Sequence, residues 1–114
     1  MSNPANLLGQ RLAELHQVIE EFRKAEERAI EARQTADVEE SKEFLKATGS
    51  IEARKHLARI QCERLEFDAL VAEAHVRHVG RLYKEAQLRV EAGRTYSADL
   101  RAELQALGSR DGSA

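Results

Sequence analysis

Tryptophan is missing from this 114-residue chain, and two tyrosines and three phenylalanines are its only aromatic side chains. An ordinary mixed interior of sheets and helices uses more bulk than that, so a conventional globular core is not expected. A single proline, Pro4, and six glycines leave few places where a helix is forced to stop. The one cysteine, Cys62, rules out an internal disulfide and suits a reducing compartment. No apolar run approaches the ~18 residues of a membrane span. The opening MSNPANLLGQ also lacks the basic-then-apolar order of a secretory leader, so a cytoplasmic location without a membrane partner is expected. Positive charge is not in excess either. Eighteen basic against twenty acidic side chains give a net charge of −2, and any polyanionic partner has to be met by a local patch.

What is present is charge and alanine. Charged residues make up 33% of the chain, and the enrichment in Ala, Glu, Leu and Arg is that of long helices, which predicts an all-α fold. Asn3 before Pro4 has the order of an N-cap and a first-turn proline. From there apolar residues recur at Leu8, Leu12, Leu15, Ile19 and Phe22, then at Ala25, Ala29, Ala32 and Ala36, in alternating steps of four and three. That spacing predicts a helix over about 4–47. Gly49 can take a left-handed conformation, Ser50 can cap, and Glu52 lies where a helix N-terminus favours an anion, so 48–50 is predicted as a turn.

A second helix, about 51–92, carries the seam Ala58, Cys62, Leu65, Ala69, Ala72, Val76, Val79, Tyr83, Ala86 and Val90. A turn this short forces the two helices antiparallel, giving a coiled-coil-like hairpin. Gly93 is expected to break the second helix and Ser97 to start a short third one over about 97–107, carrying Leu100, Leu104 and Leu107. Residues 109–114 are expected to form a flexible tail to one helical domain, 1–108. Leu57, Ile60, Phe67, Leu70 and Val71 lie off the seam, and a two-helix hairpin cannot cover them. They are the expected interface of a homo-oligomer.

No catalytic constellation is legible. His75 and His78 stand three apart near Glu73 and Asp68, yet no second ligand pair answers them elsewhere, so no metal is expected. His16 and His56 are expected as solvated helix residues. Cys62 occupies a seam position, which predicts a buried and inert thiol. Neither G-x-G-x-x-G nor G-x-x-x-x-G-K occurs. With no nucleophile, base and oxyanion donor to assemble, neither an enzyme nor a cofactor is expected. Two groups of basic residues remain: Lys42, Lys46, Arg54, Lys55 and Arg59 around the turn, and the stripe Arg77, Arg81 and Lys84, continued toward Arg94 and Arg101. Copied around an oligomer, such patches become a track for a phosphate backbone.

The order of a long amphipathic helix, the turn A-T-G-S-I-E-A-R-K, a second heptad helix and then A-G-R-T-Y-S-A-D-L-R-A-E-L is similar to small all-helical bacteriophage proteins. More distantly it resembles the UvsY-type recombination mediators. The likeness runs from about Glu20 to Leu107 and rests on Lys42 and Lys46 before the turn, on Gly93 and Arg94, and on Asp99 and Arg101. It implies an oligomer that binds single-stranded DNA and assists a RecA-like recombinase in a host cytoplasm, with the basic residues above at the DNA.

Phe44, Tyr83 and Tyr96 are the candidate stacking platforms for bases. Two other readings stand beside it: a helical scaffold or inhibitor that binds a host protein, and an oligomer that closes arginines around an anionic small ligand. Charge placement separates the first two. Outward-facing cations favour DNA, whereas cations paired with Glu39, Glu43 and Glu52 favour a protein partner.

Overall fold

The computed structural model describes Pro4–Gly112, with side chains from Asn6 to Gly108. Three helices account for nearly all of it: α1 over Pro4–Lys46, α2 over Ile51–Gln61 and α3 over Glu63–Gly112. No strand occurs among the described residues, as the composition predicts. The proposed cap Asn3, and Ser113 and Ala114 of the expected tail, lie outside the described residues.

The turn is where the sequence places it. The amide of Ala47 donates to the carbonyl of Glu43 at 3.0 Å and closes α1. Gly49 then takes φ +109°, a value that L side chains rarely adopt. Ser50 follows in an extended conformation, and its side-chain oxygen accepts the amide of Ala53 at 3.1 Å. This satisfies one of the unpaired donors at the start of α2.

Two boundaries differ from the sequence reading. The expected second helix is interrupted at Cys62, whose φ of −104° and ψ of 12° separate α2 from α3. Hydrogen bonds still bridge the joint, from the Cys62 amide to Ala58 at 3.0 Å and from the Glu66 amide to the Cys62 carbonyl at 2.9 Å. The expected break at Gly93 and the separate helix over 97–107 are not found, because α3 runs through both and is helical to Gly112. Gly93 is a close-approach glycine rather than a helix breaker. A Cβ there would lie 3.2 Å from Arg11 Nη1 and 3.4 Å from a Leu8 methyl. Ser97, inside the helix, caps nothing; its carbonyl accepts from Arg101 Nε at 3.4 Å.

Contacts fall into two compact units, and α1 and α3 contribute to both. The unit spanning Glu21–Gly80 contains the turn, α2 and the joint. Its interior is made of small groups: Ala25, Ala29 and Ala36 from α1, with Ala58, Cys62, Ala69 and Val79 from the returning helices. A Cβ on Gly80 would stand 3.3 Å from the ring of Phe22, so here too absence of a side chain admits a neighbour.

The other unit joins the beginning of α1, up to Glu20, to α3 from Arg81 onward. Ala86, Val90 and Gly93 are its buried positions on α3. Leu8, Leu12 and Leu15 are half-buried, while Ile19 stays 39% exposed and Val18 is the better covered of the two. Arg11 Nη1 donates to the carbonyl of Arg89 at 2.9 Å, and Arg89 approaches Glu14 at 3.6 Å. The packing gain per position is modest throughout, since an alanine methyl buries about 0.8 kcal/mol where a leucine side chain buries roughly twice that or more.

Candidate interaction surface

The seam is filled with alanine, so the large apolar side chains are displaced outward. Within the Glu21–Gly80 unit, Leu57, Ile60, Phe67, Leu70 and Val71 are each about half exposed or more. The structure thus puts all five expected interface residues at the surface. Leu57 and Ile60 stand three apart on α2, and Phe67, Leu70 and Val71 share one stretch of α3 just past the joint. On α1 the same unit exposes Ile30, Val38 and Leu45.

Three grooves adjoin on one flank of this unit, each edged by Arg33 or Asp37. The first holds Phe67, Leu70 and Arg59, the second Ile30, Val38 and Glu73, and the third Phe44, Leu45 and Lys55. Asp37 lines all three, and Arg33 lies between the first two. Its Nη1 lies 2.6 Å from Glu66 Oε2 and its Nη2 2.6 Å from Glu73 Oε1, so one planar fork from α1 holds two carboxylates a heptad apart on α3. The hydrogen bond to Glu66, then that to Glu73, holds the guanidinium proton more firmly than in a free arginine.

Sequence reading did not single out Arg33. A signal was present: Arg33, Glu66 and Glu73 each directly follow a seam residue, Ala32, Leu65 and Ala72, which places all three beside the seam.

The basic residues at the turn are partly engaged. Lys42 Nζ lies 3.2 Å from Glu39 and Lys46 Nζ 3.7 Å from Glu43, each an i, i−3 pair on α1. Arg54 crosses the turn to stack on Phe44, its guanidinium carbon 5.7 Å from the ring centroid. Its Nε is shielded from solvent and has no hydrogen-bond partner. Phe44 is therefore covered by a cation from its own chain. Lys55 and Arg59 are exposed.

The second group of cations does not gather in one unit. Arg77 belongs to the Glu21–Gly80 unit, and Arg81, Lys84, Arg94 and Arg101 to the other, all of them exposed. Tyr83 is half-buried and accepts from Gln87 Nε2 at 3.0 Å, while Tyr96 is 58% exposed.

His75 and His78 are exposed neighbours with ring centroids 6.4 Å apart. No group of three His, Cys, Asp or Glu side chains suited to a metal occurs among the described residues. Cys62 is buried, and burial followed by the carboxylates of Glu43, Glu40 and Glu39 raises its thiol pKa. No helix among the described residues is long and apolar enough to cross a membrane. No protein-family model matches the chain, nor does any curated protein or any solved structure.

Proposed function

We propose that this chain is a non-enzymatic helical protein that works by association, first of all with copies of itself, through the surface carrying Leu57, Ile60, Phe67, Leu70 and Val71. One observation carries the reading: the interior holds alanine and other small groups, while the bulk needed to stabilise a fold is outside. Within the Glu21–Gly80 unit alone these five side chains are 46% to 66% exposed. The pairing of Lys42 with Glu39 and of Lys46 with Glu43 supports a protein partner over a nucleic acid.

Sedimentation of the wild type and of Ile60→Glu with Phe67→Glu tests the reading. A wild type heavier than one chain and a variant reduced toward one chain are expected. A well-folded monomeric wild type overturns it.

The single-stranded DNA reading, a mediator serving a RecA-like recombinase, stands second because the pairs at the turn are weak. Lys46 is 74% exposed and touches Glu43 at a single distance of 3.7 Å, and such surface pairs contribute between nothing and about 1 kcal/mol. A phosphate can displace them, and Lys55 and Arg59 are exposed beside them. Titrating salt against a labelled single-stranded oligonucleotide decides between the two. Binding that weakens steeply with salt puts DNA first, and no binding at low ionic strength removes it.

A further inference from the structure

In the unit containing the N-terminal part of α1, the heptad spacing of α3 continues past the level of Pro4, where the described part of α1 begins. Leu8 and Arg11 lie against Gly93, and Arg11 and Glu14 reach Arg89, so α1 and α3 pass each other antiparallel here. By the same descent Pro4, the first residue of α1, stands level with about Ser97. The heptad spacing of α3 nevertheless continues, through Gly93, Ser97, Leu100, Leu104 and Leu107. Side-chain size changes past the level of Pro4. Ala86, Val90 and Gly93 are buried beneath α1, whereas Leu104 and Leu107 past that level are 59% and 55% exposed.

We infer that the segment of α3 from Ser97 to Gly108 pairs in parallel, and in register, with the same segment of a second copy. The inference rests on the reading that the chain associates with itself, but uses none of the residues proposed for that surface. Unbroken alternation of three and four calls for a helix as occupant. Small residues admit the close approach of α1; leucines need an opposing layer of similar bulk, and the segment itself supplies one.

Parallel, in-register pairing sets Leu100, Leu104 and Leu107 each on its own counterpart. The antiparallel register centred on Leu100 and Leu104 sets Leu107 on Ser97 instead, and brings Arg101 near Arg101 and Glu103 near Glu103. Like charges then face across the seam, which disfavours it.

The test uses the full chain with Cys62→Ala, which removes the native thiol and leaves an alanine in an alanine seam. Leu104→Cys is compared with Gln105→Cys, one residue off the seam, under mild oxidation. Parallel pairing predicts disulfide-linked dimer from Leu104→Cys at a rate at least tenfold that of Gln105→Cys. Equal rates overturn the pairing, and crosslinking only between Leu100→Cys and Leu104→Cys chains overturns its direction. Separately, Leu104→Glu with Leu107→Glu should lower the sedimenting mass while far-UV circular dichroism shows helix retained. An unchanged mass overturns the inference and leaves the association reading intact. A monomeric wild type overturns both.

Discussion

Arg54 and Phe44 face each other across the turn at Gly49, with the guanidinium carbon 5.7 Å from the ring centroid. The contact ties the first turn of α2 to the last turn of α1. It also engages one cation and one face of an aromatic ring at this end. Arg54→Ala should destabilise the fold by about 0.5–1 kcal/mol, and Arg54→Lys should recover only part of that, because a lysine lacks the planar face that stacks. Thermal unfolding of the three proteins at one concentration checks it.

Gly49→Leu should cost about 1 kcal/mol or more, since a φ of +109° is strained for any L side chain. Ser50→Ala should cost about 1 kcal/mol through loss of the bond to the Ala53 amide. Because these residues belong to one turn, the double variant should lose less than the two separate losses added together. Chemical denaturation of the set gives the coupling directly.

Gly93→Ala and Gly80→Ala should part company. Alanine in a helix interior is favoured by about 1 kcal/mol over glycine, so both changes start from the same gain. At Gly93 the nearest atom is the far end of the flexible Arg11 side chain, which has to shift by only a few tenths of an ångström within its bond to the Arg89 carbonyl, so the variant should keep most of that gain. At Gly80 the obstacle is the Phe22 ring at 3.3 Å, which yields less easily, so that variant should gain less or lose stability. A scan of unfolding midpoints that ranks Gly80→Ala above Gly93→Ala would refute this account of the two glycines.

Arg33→Lys should lower the midpoint even though the charge is kept, because a single ammonium does not reproduce a fork that reaches Glu66 and Glu73 together. Glu66→Gln and Glu73→Gln should each lose less in the Arg33→Lys background than alone. Since the guanidinium pKa is raised further, the contribution of Arg33 is fully present below the ordinary arginine range and lost only in extreme alkali. Its share of the stability should be flat across neutral pH.

Cys62 sets an alkaline dependence of the opposite practical importance. Its pKa is raised by burial and by the Glu43, Glu40 and Glu39 carboxylates, so the folded chain holds the thiol proton longer than the unfolded one. The stability it contributes is complete below the ordinary thiol pKa of about 8.5 and is lost as pH rises from there through the higher folded value. Wild type should therefore lose stability above that point, and Cys62→Ala should flatten the curve. Denaturant midpoints measured from pH 7 to pH 10 give both slopes.

The turn and, Ile19 apart, both seams were legible because each rests on local chemistry. Gly49 and Ser50 carry their conformations in their residue types, and every seam residue from Ala58 to Val90 is buried or half-buried as its spacing predicts. Gly93 was misread for a physical reason: a glycine that breaks a helix and one that admits a neighbour are identical in sequence, and only Leu8 and Arg11 from another helix distinguish them. The joint at Cys62 had no sequence signal, lying in a run without glycine or proline. The engagement of Lys42 and Lys46 was visible in the i, i−3 spacing of Glu39 and Glu43. The stacking of Arg54 on Phe44 needed the turn geometry.

An interior of small side chains also determines how the molecule responds to heat. The change in heat capacity on unfolding follows the apolar area newly exposed to water, and Ala25, Ala29, Ala36, Ala58 and Ala69 each expose little. Association through Leu57, Ile60, Phe67, Leu70 and Val71, as proposed, would add the burial of those larger side chains to that change. The chain's stability curve should accordingly be shallow at high dilution and more strongly curved when concentrated, with a melting temperature that climbs as protein is added.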